Sequence, residues 1–358
     1  MNIIIYEDNS TKNFNPFTLN HATFELQSGI MTNLDRIKHW YSNGRNSIVL
    51  LVRHEIEQLI KLRYPDLIVN PNNIPKGKYI NGRFILNRKF DLDIFPASPS
   101  DDDIMIPDLI CPHYIWEFPS MSNIQICSDW NALGLIDKSS NSCLIAKDAN
   151  IKEGAILDTS NGPIIIDKNV TVDIGALLQG PLYIGDNSYI ALGAKIRPGT
   201  VIGKNCKIGG EVSSSIFYAN SNKVHDGFIG DSFIGEWVNI GAGTNNSNLK
   251  NNYSNIKFSF NGNETIDTEL QFLGAMIGDY TRIGISTMLN TGTYIGLGAN
   301  VFGAGFQDKY IPSFSWGRDN QKTDLNKFLE TCKKMYLRRK KELSSIEKKF
   351  LQFSYNKK

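Results

Sequence analysis

Ten residues at 221–230, SNKVHDGFIG, place Lys223, His225 and Asp226 within four positions of a stretch otherwise rich in isoleucine and glycine. Histidine ordinarily titrates near neutral pH, so His225 is a candidate general base. Its other reading is a surface loop residue bonded to its neighbour Asp226. Two cations further along the pattern, Arg197 in KIRPGT and Lys257 in SNIKF, have the chemistry to hold an anion, or are surface charges on corners. Asn248 lies in the run NNSNLKNN, where an asparagine serves a ligand or simply a turn.

The elements that must position these residues show in a repeat. Ile166, Val172, Leu178, Ile184, Ile190, Ile196, Ile202 and Ile208 recur at every sixth position. The phase begins with Ile145, Ile151 and Leu157, returns with Phe228, Ile234 and Ile240, and returns again with Ile277, Ile283, Leu289, Ile295 and Val301. A period of six fits neither an amphipathic helix nor the plain alternation of a strand. It predicts a parallel β-helix, with one hexapeptide on each of three faces, the apolar residue turned to the axis and glycine or asparagine easing the corners. Each coil buries its apolar face only against its neighbours, so residues 143–306 are expected to stack about nine coils of about 18 residues. Two stretches break the period, 212–226 and 245–272, and are expected to leave the solenoid as loops able to carry binding groups.

The flanks differ in pattern. NIIIYED and NSIVLLVRHEIEQLIKL read as strand, then strand and helix, so a small α/β domain over 1–138 is expected before the solenoid over 139–317. It contains no phosphate loop of glycines with lysine. The last segment, 318–358, has helical apolar spacing and predicts one amphipathic helix over 324–353, packed on the solenoid or on a neighbouring subunit. Its cluster of lysines and arginines reads as a solvated face.

Lys+Arg 38 against Asp+Glu 36 leaves a formal charge of +2, which gives no global case for nucleic acid or an anionic membrane. Cys111, Cys127, Cys143, Cys206 and Cys332 are too scattered for a metal cluster and point to free thiols in the cytoplasm. The N-terminus has no signal-peptide pattern, and no run is long and apolar enough to span a membrane. His21, His39, His54 and His113 all fall outside the solenoid, which argues against a metal enzyme built on converging histidines.

Against this background KIRPGTVIG, followed by NKVHDGFIGDSFIGEWVNIGAGTNNSNLKNNYSNIKF, resembles the acetyltransferase half of the bifunctional UDP-N-acetylglucosamine pyrophosphorylase / glucosamine-1-phosphate N-acetyltransferase family. A shorter branch of that family is most similar, through PFT at 16–18, SNK-HDGF at 221–228, GAGT-NSNLKN-Y at 241–253 and IPSFSWG at 311–317. The resemblance implies a left-handed parallel β-helix and CoA-dependent N-acetylation of an amino-sugar phosphate or a nucleotide-linked amino sugar, in nucleotide-sugar biosynthesis. It also implies a homotrimer with the site between adjacent solenoids, acetyl-CoA along the groove, and the 245–272 insertion reaching a neighbour. Residue by residue, His225 matches the catalytic base and Asn248 the asparagine beside the acceptor. Arg197 and Lys257 match the residues that hold the sugar phosphate, with Lys223 near them. Gly241 and Ala242 offer backbone N–H groups for an oxyanion, and together with Ser286 and Gly303 they are the expected cofactor contacts.

The chain departs from the pattern at several points. EVSSSIFYAN stands where longer members carry another lysine, Phe228 replaces a tyrosine, and Leu249 follows the key asparagine in place of another. These leave the reaction type in place and the sugar open. The first domain resembles the branch's nucleotidyltransferase domain in reduced form: Asn20-His21-Ala22 and Leu26-Gln27-Ser28-Gly29 replace its basic motifs, with Asp8, Arg36 and Asp129 as candidate remnants. Mg²⁺ is expected only if that domain is active. The rival readings are nucleotidyl transfer with the solenoid as scaffold, and a non-catalytic module that binds sugar nucleotides.

Overall fold

The structure is a computed structural model that describes residues 1–42, 46–100, 106–135, 142–318 and 321–357. The chain forms two units, one of Met1–Gln27, Met31–Tyr114 and Asp324–Lys358, the other of Ser28–Ile30 and Ile115–Thr323.

In the first unit a parallel sheet of four strands runs in the order Ile68–Val69, Ser47–Leu51, Asn2–Tyr6, Gly77–Asn81. Ile3, Ile4 and Ile5 are all fully buried, because a central parallel strand is covered on both faces and needs an unbroken apolar run. Helix α1 (Asn33–Tyr41) starts where the Thr32 hydroxyl accepts the Asp35 N–H, and helix α2 (Glu57–Arg63) follows the second strand. Together they give the expected small α/β fold.

The terminal segment belongs to this unit and differs from the single helix expected over 324–353. It forms α4 (Leu325–Arg338) and α5 (Ser345–Asn356). Lys340 adopts a left-handed conformation, and at Ser344 the hydroxyl accepts the Glu347 N–H while the Glu347 carboxylate accepts the Ser344 N–H. This reciprocal cap begins a new helix. Helix α5 packs on α2, and Tyr336 bonds Glu347 at 2.8 Å.

The second unit is the parallel β-helix. One face is a nine-stranded ladder from Cys143–Ile145 to Tyr310–Ile311, and a second is a ten-stranded ladder from Asn150–Ile151 to Gln321–Lys322, parallel except at its last pair. The third runs over five strands from Ile156–Asp158 to Phe228–Gly230. Apolar residues stack in register through the interior: Ile166, Ile184 and Ile202 on the first face, Val172, Ile190 and Ile208 on the second, Leu178, Ile196 and Val212 on the third.

Three expectations change here. Residues 212–226 do not leave the solenoid as a loop; Ile216–Ala219 and Asn222–Lys223 continue the ladders, with Ser215 and Ser221 hydroxyls bonding corner backbone. Phe228 is not the inward residue, since Ile229 pairs with Val212 and is fully buried. The boundary expected at 138 falls inside the second unit, which already includes helix α3 (Glu117–Ala132). The Ser122 hydroxyl donates to the Gly199 carbonyl at 2.5 Å, fastening α3 to the coils.

Candidate active site

His225 lies on the corner between the second and third faces. This corner holds four residues at Ala191 to Ala194, at Val224 to Gly227 and at Gly241 to Thr244, the first separated from the second by one coil. The second-face ladder aligns Asn222 with Asn239, Asn239 with Arg282, and Arg282 with Asn300. Counting three on from each places His225, Ala242, Ile285 and Gly303 in one column along this edge. Gly241 and Ser286 border the same column. The structure therefore brings the proposed base and all four expected cofactor contacts onto one edge.

The His225 side chain is exposed, and its ring makes no hydrogen bond among the described residues, so the surface-pair reading with Asp226 finds no support. Gly241 cannot serve an oxyanion, because its N–H donates to the Ile283 carbonyl at 2.9 Å. The N–H of Ala242 donates to no described residue, while its carbonyl accepts from Ser286 at 2.7 Å. Ser286 adopts a left-handed conformation there, and Gly303, at φ +128°, lies beside Arg318.

Lys223 was expected to hold substrate, and the structure removes it from that role. It pairs with Ile208, takes an interior position of the second face, and is 1 % exposed. Burial pushes its pKa down to about 8, against the opposing pull of Asp226.

Arg197 and Asn248 lie along the opposite edge of the third face. Arg197 pairs with Glu211 at 3.2 Å, the arginine exposed and the glutamate half-buried. Three coils on from Arg197, the Asn248 amide donates to the Asp231 carboxylate of the coil before it at 2.6 Å, which leaves the amide oxygen to accept from a ligand. Burial raises the pKa of Asp231, while Asn248 and Arg197 pull it down. Sequence reasoning missed Asp231 because Ile-Gly-Asp also occurs at 184–186 and 277–279. Those two aspartates, Asp186 and Asp279, accept backbone N–H groups of Lys168 and Glu236 in the coil before. Asp231 turns to a side chain in the coil after.

Lys257 stands exposed on a hairpin, Lys257–Phe258 with Ile266–Asp267. The insertion does not simply project outward, because Phe258 is fully buried against Trp116 and Tyr294 of its own unit, with Phe260 stacked on Trp116. Residues 251–255 stay exposed.

In the first unit Asp8 accepts from Asn81 at 2.6 Å and from Arg83 at 2.8 Å. Burial would raise its pKa, but Ser10, Asn81 and Arg83 outweigh that and hold it low. Its charge is thus already matched. Asp129 is occupied too: it lies in α3 and accepts the Ile30 N–H at 2.8 Å. Arg36 is fully buried in α1. Among the described residues no helix is long and apolar enough to cross a membrane.

Fold and edge together define a hexapeptide-repeat solenoid of the kind the sequence led us to expect, joined to a small α/β unit. Residues 3–101 match the family described as Sugar nucleotidyl transferase. The chain is 30% identical over 143 residues to a Bifunctional sugar-1-phosphate nucleotidylyltransferase/acetyltransferase from Sulfurisphaera tokodaii, covering 39% of this chain and 35% of that protein. It is 25% identical over 292 residues to a Bifunctional protein GlmU from Thermodesulfovibrio yellowstonii, covering 73% of this chain and 58% of that protein. The chain thus spans less than two thirds of these curated relatives, and the resemblance seen in its motifs is to transferases of this bifunctional kind. Among solved structures a putative acetyltransferase from Bacillus cereus aligns at 14% identity over 61% of this chain and 100% of its own, with a TM-score of 0.23. At that score the assignment of the fold rests on the ladders themselves.

Proposed function

We propose that the chain is a CoA-dependent N-acetyltransferase that acts on an amino-sugar phosphate in nucleotide-sugar biosynthesis, as a cytoplasmic homotrimer with acetyl-CoA as cosubstrate. The observation that carries this reading is the pairing of an exposed imidazole at His225 with the unengaged N–H of Ala242 one coil on. Adjacent strands lie about 4.8 Å apart, so both groups reach one acyl carbon. The imidazole takes a proton from the amine as its nitrogen attacks the thioester carbonyl. The Ala242 N–H stabilises the tetrahedral oxyanion, and its collapse breaks the C–S bond and expels the thiolate, which recovers the proton from the imidazolium. Asn248, with its amide oriented by Asp231, accepts from an N–H or O–H of the sugar. Arg197 and Lys257 hold the phosphate, which displaces Glu211 from a surface pair of small worth.

The placement of these groups supports assembly of several copies, as the proposed trimer requires. His225 and Asn248 occupy different edges of one face, so a site that uses both is completed when one copy's edge meets the other edge of the next. The test of the activity is thiol release from acetyl-CoA with glucosamine-1-phosphate, wild type beside His225→Ala. Loss of a general base predicts a fall on the order of 10²–10⁴-fold; equal rates in the two proteins would refute the role.

The match over residues 3–101 favours a second reading, nucleotidyl transfer by the first unit. We read this unit as a reduced domain, because the carboxylate of Asp8 that would carry Mg²⁺ is already matched by Arg83. Pyrophosphate release from UTP and a sugar phosphate with Mg²⁺ would reverse that reading.

A further inference from the structure

A lysine in an interior slot of a β-helix calls for a reason. Its ladder neighbour Ile208 shows what the slot normally holds, as does Ile240 in the following coil. Methionine would fill it without burying a charge. The ammonium is not paired with a carboxylate either: its one hydrogen-bond acceptor among the described residues is the main-chain carbonyl of His225, at 2.6 Å.

The coil before explains the space. Its corner is two residues shorter than the others, with only Gly209 and Gly210 between Ile208 and Glu211, where the next coil has four residues between Lys223 and Phe228. The His225 turn therefore lacks the full underlying corner that supports the turns around it. The Lys223 ammonium occupies the gap, so tightly that a methyl group on Gly210 would lie 2.7 Å from its nitrogen and 2.9 Å from the His225 carbonyl oxygen. Gly210 has φ +67°, which suits glycine and closes the short corner.

We propose that Lys223 is a positioning residue that fixes the His225 turn, and with it the imidazole, by holding the His225 carbonyl over the shortened Gly209–Gly210 corner. The proposal rests on the acetyltransfer reading above. It does not make Lys223 touch substrate: it is buried, and it acts through the backbone of the base. Its depressed pKa agrees with a charge held away from water for a structural gain elsewhere in the site.

The test replaces Lys223 by methionine, which keeps the apolar stem and removes the ammonium. Positioning predicts a kcat lower on the order of tenfold to hundredfold, because small misplacements of a reacting group are costly, with the KM values for acetyl-CoA and the amino sugar within about threefold and the melting temperature retained. Unchanged kcat in a folded Lys223→Met protein overturns the proposal, as does a parallel loss of kcat, KM and melting temperature, which marks a purely structural lysine. If the methionine variant does not fold, Lys223→Ile, which also lacks a donor and is the residue the neighbouring coils hold in this slot, is read by the same split and the same criteria. A wild-type rate that His225→Ala leaves intact sinks the acetyltransfer reading instead, so the two failures are told apart.

Discussion

If the base and the asparagine of one site come from different copies, two inactive variants should repair each other. His225→Ala removes the proton acceptor on one edge of the third face, and Asn248→Ala removes the amide held by Asp231 on the other edge. Each single variant is expected to lose on the order of 10²-fold or more. Two different edges meeting make a heterologous contact, and in the proposed trimer that contact closes into a ring. In a ring randomly assembled from equal amounts of both variants, a junction is restored only when its histidine comes from an Asn248→Ala chain and its asparagine from a His225→Ala chain. That combination has a chance of about one in four, so the mixed protein should recover about a quarter of the wild-type rate. The assay is thiol release from acetyl-CoA after the two variants are unfolded together and refolded, with each variant refolded alone as control. Recovery that stays at the level of the controls, in a mixture shown by mass to contain hybrid oligomers, would refute a site shared between copies.

Two further outcomes concern stability. Burial would raise the pKa of Glu25, but the charge of Arg63 at 2.9 Å, the His21 ring and the Ala22 N–H outweigh it and bring it down to about 2. A pKa below the unfolded value means stability fully present above about pH 4.5 and lost as pH falls towards 2, on the order of 3 kcal/mol in all. Urea unfolding at pH 5 and pH 2.5 should show this loss in the wild type and much less of it in Glu25→Gln; equal slopes would count against the pair. Phe258→Ala should cost about 3–5 kcal/mol because the ring is fully buried, and should free residues 245–272 for limited proteolysis at protease levels that leave the wild type uncut.

Where the period was regular, the sequence could be read one residue at a time: an isoleucine at every sixth position faces the axis because each face of each coil has one inward slot. The reading failed where corners change length. Counting in sixes fails past the short Gly209–Gly210 corner, and again where Ile229 stands only five before Ile234, so that six back from Ile234 lands on Phe228. The same slip hid Lys223, which looked like part of a loop and is in fact a rung of the second face. The break between α4 and α5 was visible as Ser344 and Glu347 three apart, but the apolar spacing continues across it and outweighed the local signal. His225 and Asn248 were legible as residue types, while their separation onto two edges depends on how many residues turn each corner, which no local pattern states.

These departures bear on how a repeat can hold a unique site at all. In a perfect solenoid every corner is the same, so any group placed on one is presented no differently from its neighbours above and below. The chain is irregular where the candidate site lies: a short corner beneath His225, a lysine in place of isoleucine beside it, an aspartate that reaches forward to Asn248 instead of back, and an insertion that begins just after that asparagine. Each would weaken a plain repeat, through a buried charge, a missing pair of corner residues or a left-handed aspartate. Regular coils on both sides, with their continuous interior stack, supply the rigidity that keeps these irregular turns in place. Lengthening the Gly209–Gly210 corner to the standard four residues while returning Lys223 to isoleucine would therefore be expected to make a more regular solenoid and a poorer catalyst.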